Sequence, residues 1–112
     1  MLHQRQFTNL CNTDNGDVDQ QTIFHYNQVG TNISATYQGG SILQGNIIGK
    51  MHDERHFEMY YQHITHDGTL RIGHCYSEIE RQNDGRLKIK EKWQWLNGDL
   101  STGYSELIEI TP

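Results

Sequence analysis

The chain reads as an all-β protein, an antiparallel up-and-down meander of about eight strands, closed or nearly closed into a barrel. Three observations predict this. Gly39-Gly40, Asp67-Gly68, Asp84-Gly85 and Asn97-Gly98 each sit between alternating segments. Asn-Gly and Asp-Gly are strong hairpin signals, because tight primed turns need positive φ. The only proline is Pro112, and no long capped stretch of helical period is visible. Strands joined by such short turns pair in sequence order, and closing a polar meander removes its exposed edges.

The strands are expected near residues 5–10, 22–28, 32–37, 41–50, 57–65, 70–78, 87–95 and 104–110. Residues 1–112 read as a single β-barrel domain. The stretch from Cys11 to Gln21 lacks clean alternation, so the pairing of the first strand is left open.

Composition narrows the function. Mean hydropathy is -0.80, yet aromatics make up 10% of the chain, which a disordered chain would lack. The net charge of -5 argues against nucleic acid as a partner. Lys88, Lys90 and Lys92 recur at a spacing of two and read as an outward strand face. No segment approaches the ~20 apolar residues of a membrane-spanning helix, so no membrane partner is expected. The Met1-Leu2-His3 start has no apolar run behind it, and Cys11 and Cys75 form no motif. A cytoplasmic protein with reduced thiols is expected.

If the turns hold two residues each, they fix the register. Asp67-Gly68 then sets Tyr61 opposite His74 and Met59 opposite Tyr76. Asp84-Gly85 sets Tyr76 opposite Trp93 and Glu78 opposite Glu91. Asn97-Gly98 sets Glu91 opposite Tyr104, Ile89 opposite Glu106 and Leu87 opposite Ile108. Gly39-Gly40 brings Gln44 and Asn46 to the same face. The expected inner face is apolar at one end, with Phe57, Leu87, Ile89, Ile108 and Ile110. The rest is polar and aromatic: Tyr61, His63, His74, Tyr76, Glu78, Glu91, Trp93, Trp95, Tyr104 and Glu106 are the candidate ligand-binding residues. Cys75, Tyr60, Ile64 and Ile79 are expected outside, the last three as a patch through which a homodimer could form.

Buried carboxylates and imidazoles are costly unless paired, so such a face implies a polar network or a wet cavity. Glu78 and Glu91, as neighbours, would push one pKa up. His63 and Glu91 are the acid–base candidates if the protein is an enzyme. His63 and His74 lack the spacing of a metal motif, and neither metal nor cofactor is expected. The Trp93–Trp95 pair is either core or a surface on which a planar ligand stacks. A ligand-binding lumen should enclose ~300 Å³ or more.

The pattern Phe24-His25-Tyr26-x-Gln28-x-Gly30, Ile33-x-Ala35-x-Tyr37-x-Gly39-Gly40, Tyr61-x-His63 and Glu91-x-Trp93-x-Trp95 with Gly98-Asp99 resembles a group of small bacterial proteins. The likeness covers the chain from about Phe24 onward. It implies a calycin-like or lipocalin-like barrel, and its common label implies N-acetylglutamate synthase activity. The chain shows no Gly-rich turn leading into a helix, the usual cradle for the acetyl-CoA pyrophosphate. The leading expectation is a barrel that binds a small molecule in its lumen. The alternatives are a small enzyme and a structural or interaction module, monomeric or homodimeric.

Overall fold

A computed structural model describes residues 1–110. Eight strands form one closed antiparallel barrel in sequence order. They are β1 (Arg5–Asn12), β2 (Ile23–Val29), β3 (Asn32–Gly39), β4 (Ile42–Met51), β5 (His56–Thr65), β6 (Leu70–Arg81), β7 (Leu87–Trp95) and β8 (Thr102–Glu109). The strand left unpaired by the sequence, β1, closes the barrel. It pairs with β2 on one side and β8 on the other, with a bulge between Asn9 and Cys11.

The Asp-Gly hairpins differ from expectation by one residue. Gly68 N–H donates to Thr65 O at 2.9 Å, and Thr65 N–H to Thr69 O at 3.0 Å. Residues 66–68 are thus a three-residue loop, with Gly68 alone at positive φ (+89°). The 83–85 loop repeats this: Gly85 N–H donates to Gln82 O at 3.0 Å, Gln82 N–H to Arg86 O at 2.8 Å, and Gly85 has φ +89°. A primed two-residue turn would need positive φ at Asp67 and Asp84 too. A type I turn followed by a left-handed glycine does not. In both loops the aspartate instead accepts the N–H two residues on, that of Thr69 or Arg86.

One extra residue turns a strand over. Met59 pairs with Cys75, not Tyr76, so β6 sends Gly73, Cys75, Ser77 and Ile79 inward. His74, Tyr76 and Glu78 lie outside, which corrects their expected place. The second loop turns the face back, so β7 sends Leu87, Ile89, Glu91, Trp93 and Trp95 inward as expected. The β7–β8 connection closes through Trp95 N–H to Ser101 O, with residues 96–100 as its loop. Glu91 therefore pairs with Ser105, and β8 sends Ser105, Leu107 and Glu109 inward. Tyr104, Glu106 and Ile108 face outward, against expectation, and Ile110 follows the strand half-buried. Bulges beside Gly39 and Ile42 put Gly45 opposite Tyr37 and turn Gln44 and Asn46 to solvent. Cys75 and Ile79 are buried, which also corrects their expected outward place.

The end of the barrel at Arg5, Met51 and Leu87 is filled. Leu2, Phe7, Phe57, Ile79, Leu87, Ile89 and Leu107 are buried there. Its rim is tied by Glu109, which accepts two bonds from Arg5 Nη1 (3.0 and 2.8 Å) and one from Leu87 N–H (2.9 Å).

The opposite half is built on glycine–aromatic pairs. Tyr37 faces Gly45, Tyr61 faces Gly73, and Trp93 faces Gly103 across adjacent strands. A Cβ on those glycines would lie 2.4, 2.2 and 2.2 Å from the ring opposite. Each ring thus lies back against its neighbour strand and leaves the axis free. Gly73→Ala should cost about 1–3 kcal/mol by overpacking. In a Tyr61→Leu background the cost should fall by more than about 1 kcal/mol, read as a double-mutant cycle in urea. An equal cost in both backgrounds would show that the ring is not seated on Gly73.

Candidate functional site

The open half of the lumen ends in a small cavity. Tyr61, His63, Glu91, Trp93 and Trp95 line it, five of the ten residues expected to form a ligand site. Tyr37, Phe24, Met59, Cys75 and Ser105 line it as well, and Asn12, Asp17 and Val18 cover it. The space open to a water-sized sphere is about 40 Å³, room for about three waters, and it is partly open to the surface. This falls far short of the expected lumen, because the loop at residues 13–22 crosses the mouth.

That loop is strapped down. Asp17 Oδ2 lies 2.9 Å from His63 Nε2, and Asp17 O accepts from Ser41 Oγ at 2.8 Å. Asn12 Nδ2 donates to Val18 O at 3.1 Å, and Trp95 Nε1–H donates to Asn15 O at 3.0 Å. The loop gave no alternation from which to place it, and Ser105 was hidden by the one-residue shift. The only trace of the strap in the sequence is its density of Asn, Asp and Gly between Asn12 and Asp19.

His63 is buried and engaged at both ring nitrogens. Nδ1 lies 2.8 Å from the Tyr37 hydroxyl. With Asp17 ionised, Nε2–H donates to the carboxylate and Nδ1 accepts from Tyr37. The ring also packs edge-on to Trp95, at 5.7 Å between centroids. Trp95 in turn carries the Arg71 guanidinium 3.9 Å from its ring centroid.

Glu91 lies deeper, 6% exposed, between Ser77 and Ser105. Ser105 Oγ donates to Oε1 at 2.7 Å. Oε2 accepts no bond from the described residues, and no cation pairs with the carboxylate. Burial raises its pKa to about 7, outweighing the opposing effect of the Ser105 bond. The expected cause, a second carboxylate at Glu78, is absent because Glu78 is outside, paired with Lys90 across the strands and 3.4 Å from Arg55 and His56. The phenols of Tyr26 and Tyr61 and the Cys75 thiol are also pushed up, chiefly by burial.

The other expected site residues are on the outer surface. His74 Nε2 lies 2.8 Å from Glu58 Oε2, with its ring between Tyr60 and Tyr76. His63 and His74 therefore do not share a face. Tyr104 donates to Glu106, which pairs with Lys88 at 2.7 Å. Lys90 pairs with Glu80 at 2.8 Å, so two of the three outward lysines are neutralised by the strands beside them.

The comparisons with known proteins agree with this architecture. No curated protein and no solved structure matches the chain. Nothing found supports the N-acetylglutamate synthase label, whereas the calycin-like barrel implied by the resemblance is what the strands form. The family model described as Avidin-like protein matches residues 1–110, and the chain belongs to that family.

Proposed function

We propose that the protein binds a small molecule in the open half of its lumen, reached when the Asp17–Val18 strap lifts. The observation that carries this reading is Glu91. A carboxyl in an aromatic pocket with one hydrogen bond is destabilising by itself, and an apolar residue would pack the same space without that cost. Sites that serve a ligand accept such costs. The present 40 Å³ cannot hold a ligand of ordinary size. Lifting the strap joins it to the mouth.

Proton transfer is the second chemistry the site supports. Glu91, with a pKa of about 7, could both accept and donate a proton near neutrality. It would act alone, since Tyr37 and Asp17 hold both nitrogens of His63. Acetyl transfer from acetyl-CoA finds no support, since Gly39-Gly40 leads into β4 and not into a helix.

A homodimer is the reading favoured by the outer face of β4–β6. Ile48, Tyr60 and Tyr76 are 75, 58 and 61% exposed there, and Ile48, Tyr60 and His74 form one row across the strands. Of the patch expected from the sequence, Tyr60 and a half-buried Ile64 remain, while Ile79 is inside. Sedimentation at high concentration should show a dimer that Tyr60→Glu dissociates; a monomer throughout would remove this reading.

Linkage gives the first test of the site. A carboxyl whose folded pKa is raised favours folding while protonated, below the unfolded value of 4.5, and that contribution is lost as pH rises toward 7. The shift corresponds to about 3 kcal/mol at full ionisation. Denaturation of wild type and Glu91→Gln between pH 4 and 8 should therefore show the variant gaining on wild type as pH rises. A pH-independent difference would mean that Glu91 is hydrated and not buried in the lumen.

The second test addresses the strap. Native mass spectrometry of protein from its own host should show a retained small molecule. Asp17→Ala should bind that molecule at least about threefold tighter, because a larger fraction of the protein is competent to bind. No bound species in either protein, with no shift in melting temperature across a metabolite library, would overturn the lumen-binding reading.

A further inference from the structure

We propose that the lumen takes a protonated amine, seated among the rings of Trp93, Trp95 and Tyr61 with its N–H groups on Glu91 and Asn12. The inference rests on the lumen-binding reading and specifies its ligand class.

The first argument is the inventory of unused hydrogen-bonding groups. Asn12 Oδ1 is fully shut from solvent and has no partner. Glu91 Oε2 also accepts no bond from the described residues, though it is not shut off as Asn12 Oδ1 is. Both are acceptors on residues that line one cavity, and Asn12 Oδ1, packed over Gly16 of the strap, opens to it when the strap lifts. The Trp93 indole N–H and the Tyr61 hydroxyl are also unbonded, but they are neutral. Among the described residues, no Lys, Arg or His pairs with this carboxyl, whereas buried Glu109 has Arg5. A buried carboxylate is best met by a group that brings both positive charge and N–H donors.

The second argument is the wall. Trp93 and Trp95 sit 5.3 Å apart at 57°, and Tyr61 meets Trp95 edge-on at 5.7 Å. Tilted rings around a small space present the negative faces that hold ammonium groups. The chain already places a cation on this wall, since Arg71 lies over Trp95. The available space suits an ammonium head, with any tail leaving beneath the strap.

The third argument is the mouth. Asp14, Asp19, Asp67 and Asp99 lie on the loops at this end, while Asp17 is taken up by His63 and Arg71, the nearby cation. An acidic rim draws cations in and turns anions away.

The groups facing Glu91 sharpen the test. They are the phenols of Tyr26 on β2, Tyr37 on β3 and Tyr61 on β5, and the Cys75 thiol on β6, all held neutral by burial. β8 adds Ser105, and β1 and β4 add Asn12 and Ile47. A cation would shift Glu91 toward its ionised form without competition from these groups.

Methylammonium and butylammonium can be titrated into the whole protein beside methanol, butanol and butyrate. The indole N–H signals of Trp93 and Trp95 report on the cavity. Butylammonium should give saturable shifts at least about tenfold tighter than butanol, and butyrate should give none. The amine should bind more tightly at about pH 8 than at about pH 6, and Glu91→Gln should lose both the preference and its pH dependence. Should that variant fail to fold, the carboxyl carbon signal of Glu91 in wild type serves instead: the amine should lower its titration midpoint by more than about one unit. Butanol binding as tightly as butylammonium, or an unmoved midpoint, overturns the amine while leaving a lumen site. If no probe of any charge shifts the indole signals, both readings fall.

Discussion

Gly68 and Gly85 each let a three-residue loop close where a two-residue turn would otherwise stand. The rest of the barrel depends on that. A strand has two faces, so a loop decides by its parity what the next strand turns inward. With both loops odd, β5, β6 and β7 all send their odd-numbered residues to the axis, and the β7–β8 loop extends this to β8. Gly73 and Gly103 then lie opposite Tyr61 and Trp93, where the rings have room. Had the first loop been one residue shorter, His74, Tyr76, Glu78 and Glu80 would be inside; had the second, Lys88, Lys90 and Lys92 would be. The register is thus held by loop geometry and by the burial it permits, each agreeing with the other.

The same parity explains what could be read from the residues alone. Strand number, order and closure followed from turn spacing, because an Asp-Gly pair marks a hairpin whichever loop it builds. The inner faces of β5 and β7 were legible, since two one-residue errors cancel across β6. The inner face of β6 was not, because the dipeptide does not say whether Asp67 takes positive φ, and that of β8 was not, because Asn97-Gly98 lies within a five-residue loop rather than forming the turn by itself. A structural hint did exist. Gly73, Cys75, Ser77 and Ile79 are small or apolar, while Arg71, whose stem and guanidinium can cover Trp95, begins the same series. The strap over the mouth left no periodic signal, and its position depends on contacts such as Asp17 with His63, 46 residues away.

The two halves of the lumen solve different problems. At the closed end Phe7, Phe57, Leu87 and Leu107 supply the apolar burial that holds the barrel together. Glu109 there is buried too, but it accepts from Arg5 and from Leu87 N–H, so its charge is met within the fold. Glu91 has the same chemistry and no such partners. The contrast between these two carboxylates shows that the chain can satisfy a buried acid where stability is the only demand.

What separates them is position along the axis. Glu109 sits where the chain itself can bring a guanidinium across the rim. Glu91 sits beneath a layer of rings held back by glycines, and above it lies the loop that carries Asp17. A basic residue at Ser77 or Ser105, its cross-strand neighbours, would neutralise it, yet both positions carry hydroxyls. Of these, Ser105 donates one hydrogen bond and leaves the second oxygen open. The fold therefore keeps an acid poised in a small, aromatic space and covers it with a strap held by a few polar contacts. In energetic terms that is a strained solution for a core and a coherent one for a site, because binding a cation would supply the charge that the chain leaves out.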